Sequence, residues 1–184
     1  MGYKTKLGQN CYAGDGIGIS NTPLKCAKEI NSFLCGEYNE EISALFSCGG
    51  GELMCEILDD VDFDKIKKSK PVWFLGYSDN TNLTFLLPTI CDITAIYSPC
   101  APAYGMEPWH PSLKDTFELL TGKSNMAHGY DKWEKESVKN EENPLVPYNV
   151  TKKTEIKKFG AGKDDAKTEI SGRLIGGCLD CLAN

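Results

Sequence analysis

The chain has 184 residues, a formal net charge of -6 and a pI near 5.0. Hydrophobic residues at 41% and charged residues at 25% are the balance of a folded, water-soluble chain with a core, which excludes the disordered and collagen-like classes. Twenty Lys and Arg against twenty-six Asp and Glu leave no basic stripe for a phosphate backbone, so no nucleic-acid partner is expected.

The apolar stretches, such as 85–87 and 93–96, fall far short of the roughly 18 residues that cross a bilayer. The first seven residues carry charge with no apolar stretch behind them, unlike a signal peptide. No membrane partner and a cytoplasmic location are therefore expected. Nine cysteines, an odd number without a secretion signal, point to reduced and mostly buried thiols rather than a disulfide framework. Cys178 and Cys181 lack the second ligand pair a structural zinc needs, so neither a metal nor a cofactor is expected. They read instead as two packed thiols on a buried helix.

Along residues 1–110, short apolar runs alternate with amphipathic stretches, the pattern of an α/β fold with a parallel sheet. Thr22 and Pro23 predict a helix start, Leu24, Ala27, Ile30 and Leu34 share a face, and Gly36 follows, giving a helix over 23–35. Residues 43–48 read as a short buried strand. The glycines at 49, 50 and 51 make a tight turn, and Leu53, Met54, Ile57 and Leu58 lie on one helical face beyond it.

Residues 72–75 predict the next strand. A helix to about Cys91 follows, with Ser78, Asp79 and Thr81 as capping candidates and Pro88 bending its end. Residues 94–97 predict a further strand, closed by a proline-rich loop to Gly105. Ser112 and Asp115 resemble a capping box for a helix over 113–121, with Gly122 behind it. The polar stretch 123–171, which includes the loose loop 160–165, reads as a bridge between domains with at most a strand or two. Residues 173–177 read as another strand with glycines, so three segments are expected: 1–110, 111–171 and 172–184.

Where a strand enters a helix through glycines, free N–H groups and the helix dipole favour a phosphate, carboxylate or oxyanion. Neither a phosphate loop nor a dinucleotide fingerprint matches residues 49–55. A tight turn without ligand is the bland alternative.

The runs GGELMCEILDDVDFDKI (50–66) and KPVWFLGYSDNTNL (70–83), with YSPCAPAYG (97–105) and GRLIGGCLDCL (172–182), together resemble the LD-carboxypeptidase and microcin-immunity family of serine peptidases. The resemblance implies a Ser-Glu-His hydrolase with its serine at an elbow after paired glycines, acting on murein-derived peptides or peptide-nucleotide antibiotics, and it allows a homodimer. Matching Gly50 and Gly51 to the paired glycines puts Met54 at the nucleophile position, and a thioether cannot attack a carbonyl. Cys55 is the nearest substitute and, with Gly50 and Gly51, belongs to the expected oxyanion and substrate turn.

Ser47 is expected in the strand and Ser78 as a helix cap. His110 and His128 match no motif and are expected to be surface or structural residues. Cys178 stands where the family pattern has asparagine. The family's glutamate and histidine belong beyond the segment at 176–178, and its first strand and helix precede the part matching 2–7. The expectation is thus a partial N-terminal domain and the start of a second domain, with an inactive peptide-binding homologue or a gene fragment as the alternative.

Overall fold

A computed structural model describes residues 2–157 and 169–183. Its centre is a three-stranded parallel sheet of β1 (Ala44–Phe46), β2 (Trp73–Gly76) and β3 (Ile96–Tyr97), in that spatial order. The α/β class with a parallel sheet is as the sequence predicts. Phe74 and Leu75 of the middle strand are both buried, because helical layers cover a parallel strand on both faces. The two edge strands are only partly buried, β1 at all three of its positions.

The helix α1 (Pro23–Leu34) follows its predicted span, with Ala27, Phe33 and Leu34 buried. Its start is secured differently from the expectation: Thr22 makes no side-chain cap, and Asn21 Oδ1 accepts the Thr22 N–H at 2.8 Å. Beyond β1 and the glycines comes a 3₁₀ turn over Met54–Asp60 rather than an α-helix. Asp62 then caps a second short helix, α2 (Phe63–Ile66), by accepting the Lys65 N–H at 2.9 Å. A new start so soon leaves the first segment no room to lengthen.

After β2, a 3₁₀ turn over Ser78–Asn80 leads into α3 (Thr81–Leu86), which widens into a π turn over Leu87–Cys91. Pro88 lies in that turn, where a missing N–H and a crowding ring disrupt regular α pairing. Ala27 and Leu34 of α1, Ile57 of the first 3₁₀ turn, Phe74 of β2, Leu83 of α3 and Leu87 of the π turn belong to one buried core.

The helix α4 (Pro111–Leu120) is capped by His110, whose ring Nδ1 accepts the Ser112 N–H, and not by the predicted Ser112 and Asp115 pair. Asp115 is committed elsewhere, to Tyr130 and His128. Gly122 takes φ +67 behind the helix, the left-handed geometry of a glycine stop.

Residues 132–153 contain an antiparallel pair, β4 (Lys132–Glu134) and β5 (Val150–Lys153). Residues 173–177, predicted as a strand, join no ladder, and Leu174 is 97% exposed. The helix α5 (Leu179–Ala183) has no buried residue, so Cys178 and Cys181 are half-exposed rather than packed on a buried helix. The predicted loop 160–165 lies outside the described residues.

Candidate active site

All three parallel strands point their carboxyl ends to one rim, where Ser47 to Gly51, Tyr77 to Asn80 and Ser98 to Gly105 converge. In open α/β sheets this rim is where ligands bind. The strand hydrogen bonding runs up to it: Ser47 N–H donates to Leu75 O at 2.8 Å, and Ser98 N–H to Gly76 O at 3.1 Å.

Ser78 lies on the turn leaving β2 with φ +61, one of two non-glycine residues with positive φ among the described residues. A serine lifted into the left-handed region at a strand-to-helix turn has the geometry of a nucleophile elbow. Its N–H donates to Tyr97 Oη at 3.0 Å. Its side chain makes no capping bond; Thr81 Oγ1 donates to the Ser78 carbonyl at 2.7 Å instead. The expected capping role for Ser78 is therefore not what its side chain does.

The glycine turn lies against this serine. A Cβ placed on Gly50 would stand 3.4 Å from Ser78 Oγ, so the hydroxyl sits over bare backbone. The N–H groups of Gly50 and Gly51 have no partner among the described residues. Two bonds from the serine side fix the turn, and a third, within that side, holds Asp79. Asp79, 5% exposed, accepts the Met54 N–H on Oδ2 at 2.8 Å and the Asn82 amide on Oδ1 at 3.0 Å. Asn80 Nδ2 donates to Gly49 O at 2.8 Å. Burial pushes the Asp79 carboxyl above the usual carboxylate range, partly offset by the Met54 and Asn82 donors.

Met54 opens the 3₁₀ turn, and its side chain packs against the core while lining a groove of about 1020 Å³ beside β1. Cys55 is exposed and does not line that groove, whereas Gly50 and Gly51 do. A second cavity of about 500 Å³ opens beside Gly49, between Tyr77 and Tyr148. Residues 177–181 close the far side of the serine turn. Cys178 N–H donates to Thr81 Oγ1 at 2.9 Å, and a Cβ on Gly177 would overlap Thr81 Cγ2.

A domain model for the LD-carboxypeptidase N-terminal domain matches residues 1–98, the whole parallel sheet with both turns. The chain belongs to the LD-carboxypeptidase family, peptidase family S66. Within it, the chain is 31% identical over 172 residues to the microcin C7 self-immunity protein MccF of Escherichia coli, covering 89% of this chain and 46% of that protein. It thus spans about half the length of the curated relative it matches.

Two solved MccF structures share its fold. One, in complex with aspartyl sulfamoyl adenosine, aligns at TM-score 0.65 and 25% identity over 79% of this chain and 44% of that one. An apo active-site mutant aligns at TM-score 0.66 and 25% identity over 96% and 51%.

The two histidines do not join the rim's bonded network. His110 Nδ1 is 2.8 Å from Ser112 Oγ at the α4 cap, and His128 Nδ1 is 2.7 Å from Asp115 Oδ2 on the surface. No described residue hydrogen-bonds Ser78 Oγ. Among the described residues, no group of three or more His, Cys, Asp and Glu could hold a metal ion, and no helix is long and apolar enough to cross a membrane.

Sequence reading took Ser78 for a helix cap and did not foresee its left-handed backbone. The signal was present in Gly76-Tyr-Ser-Asp-Asn80 directly after an apolar strand, a strand–turn–helix context for a lifted serine. Serine is also a common helix cap, and only the backbone angle separates the two roles.

Proposed function

We propose that this chain carries the nucleophile-bearing part of a serine hydrolase of the LD-carboxypeptidase type, with Ser78, not Met54 or Cys55, as the attacking residue. The observation that carries the proposal is the positive φ of Ser78 at the turn between β2 and α3, with its hydroxyl over Gly50. A half-buried hydroxyl held there stands at the rim beside the glycine turn, in the lifted geometry that an attacking serine uses.

Gly50 and Gly51 keep the role expected of them: their unpartnered N–H groups are the donors for the developing oxyanion. The family resemblance assigns the general base to a histidine oriented by a glutamate. The substrate class is a murein-derived peptide or a peptide-nucleotide antibiotic, hydrolysed in the cytoplasm. The ligand class draws support from solved MccF structures that hold aspartyl sulfamoyl adenosine and glutamyl sulfamoyl guanosine.

The test is hydrolysis of a murein tetrapeptide and of aspartyl sulfamoyl adenosine by the full-length protein. Ser78→Ala is expected to cost about 1,000-fold or more in kcat, as for loss of a nucleophile. Met54→Leu and Cys55→Ala should stay within about tenfold of the parent, a change of about 1.4 kcal/mol in barrier. An active Ser78→Ala protein, or an inactive Cys55→Ala protein, overturns the assignment. Binding of either ligand without turnover by the parent would favour the inactive peptide-binding reading.

A further inference from the structure

The nine cysteines are all free, and only Cys35, Cys91 and Cys100 are buried, so the expectation of mostly buried thiols does not hold. Two of the others meet. Cys11 and Cys48, 37 positions apart in sequence, bring their Sγ atoms to 3.4 Å, with Cys48 exposed and Cys11 partly so. Both line the rim of the large groove beside Gly49 to Gly51.

Each thiol is held from its own side. The Cys11 turn is anchored to the start and middle of α1: the Asn10 N–H donates to Glu29 Oε1 at 2.8 Å and its Nδ2 to Lys25 O at 3.2 Å. Its Oδ1 accepts the Asn21 amide at 3.0 Å. Cys48 is flanked by Ser47, laddered to Leu75, and by Gly49, whose carbonyl is tied to Asn80. The sulfurs are thus brought together by two independently fixed segments. A disulfide needs them at about 2.05 Å, a closure of roughly 1.4 Å that small side-chain rotations can supply.

We propose that Cys11 and Cys48 form a reversible disulfide at the groove rim, an oxidisable site separate from the serine chemistry. The oxidant is a small-molecule disulfide, RSSR. The thiolate of one cysteine attacks a sulfur of RSSR and expels RS⁻, giving a mixed disulfide. The second cysteine gives up its proton, attacks the protein-side sulfur and expels the other RS⁻. Two protein thiols are oxidised, one RSSR is reduced, and both protons leave on two RSH molecules. Desolvation of its sulfur and the adjacent Cys11 thiol push the Cys48 thiol up to about 11, so the exchange accelerates with rising pH.

The experiment uses the unmodified full chain and oxidised glutathione at about pH 8, followed by thiol alkylation, digestion and mass mapping. Free thiols are expected to fall from nine to seven, with the loss of two hydrogen masses and one cross-linked peptide joining Cys11 to Cys48. Dithiothreitol should reverse the change. Cys11→Ser and Cys48→Ser should each abolish the cross-link and leave a glutathione adduct on the remaining cysteine. Retention of nine thiols, a cross-link formed first between Cys178 and Cys181, or a stable adduct on Cys48 in the unmodified chain each overturns the proposal.

Discussion

The buried carboxylate of Asp79 accepts the Met54 N–H at 2.8 Å, joining the serine turn after β2 to the glycine loop after β1. Asp79→Ala leaves that part-buried N–H without a partner and should cost about 1–3 kcal/mol in urea unfolding. Asp79→Asn keeps an acceptor oxygen and should cost less. It also isolates the charge. Burial raises the folded carboxyl above its unfolded value of 3.8, so the folded state binds a proton more readily than the unfolded one. Stability from this group is present below the unfolded pKa and is lost as pH rises through the folded pKa. The parent should show that loss over the acidic range and Asp79→Asn should not; parallel profiles would contradict the assignment.

Ser78 holds φ +61, a conformation that costs a non-glycine residue about 1–2 kcal/mol. Ser78→Gly removes that cost but adds about 0.4–1 kcal/mol of unfolded-chain entropy. The net expectation is a small gain in stability, about 0.5 kcal/mol, while Ser78→Ala keeps the strain and gains nothing. Chemical denaturation of the three proteins decides it. A clearly destabilised glycine variant would mean that contacts of the serine side chain outweigh the strain.

Gly51 and Gly49 separate a crowded position from an open one. A Cβ on Gly51 would overlap the Gly18 carbonyl oxygen and lie 3.0 Å from Asp79 Oδ2, whereas one on Gly49 meets nothing within 4 Å. Gly51→Ala should cost about 1–3 kcal/mol, the range for overpacking against backbone that cannot yield. Gly49→Ala should stay within about 0.5 kcal/mol of the parent. Equal costs would rule out the close approach of the 18 and 51 segments.

Asp115 Oδ2 accepts the Tyr130 hydroxyl at 2.6 Å and lies 2.7 Å from His128 Nδ1. The Tyr130 bond first, then His128, hold the Asp115 carboxyl below its usual range. A depressed carboxylate contributes stability above its unfolded pKa that is lost as pH falls through the folded value. Asp115→Asn should therefore melt below the parent at neutral pH and approach it in strong acid. Burial and the same carboxylate push Tyr130 up to about 12. Ultraviolet titration should show that late phenol moving toward the ordinary tyrosine range in Asp115→Asn.

The parallel sheet, α1 and the stop at Gly122 were legible because they rest on local signals: apolar runs with the strand period, Pro23 at a helix start, and a glycine after an apolar face. The caps were less legible. Thr22, Ser112 and Asp115 are good capping residues by type, but Thr22 makes no side-chain cap, His110 reached the free Ser112 N–H, and Asp115 was claimed by a tyrosine 15 positions away. The glycine turn was legible as a place but not as a mechanism. What fixes it comes from Asp79 and Asn80 on another strand's turn, and pairings of that range leave no periodicity to read. Ser78 was obscured for the same reason, since its neighbours in space are Gly50, Tyr97 and Cys181.

The four residues from Ser78 to Thr81 commit themselves to different neighbours: Ser78 to Tyr97, Asp79 to Met54, Asn80 to Gly49, and Thr81 to Cys178. Ser78 does so through its backbone N–H, which a substitution keeps, whereas an exchange at Asp79, Asn80 or Thr81 strands a polar group in a separate part of the chain. Change in this tetrapeptide must then arrive as matched sets spread across the gene, and an engineer who wishes to retune the rim will find more freedom in Gly49 and in the loop bearing Tyr148 than in the serine's own neighbours.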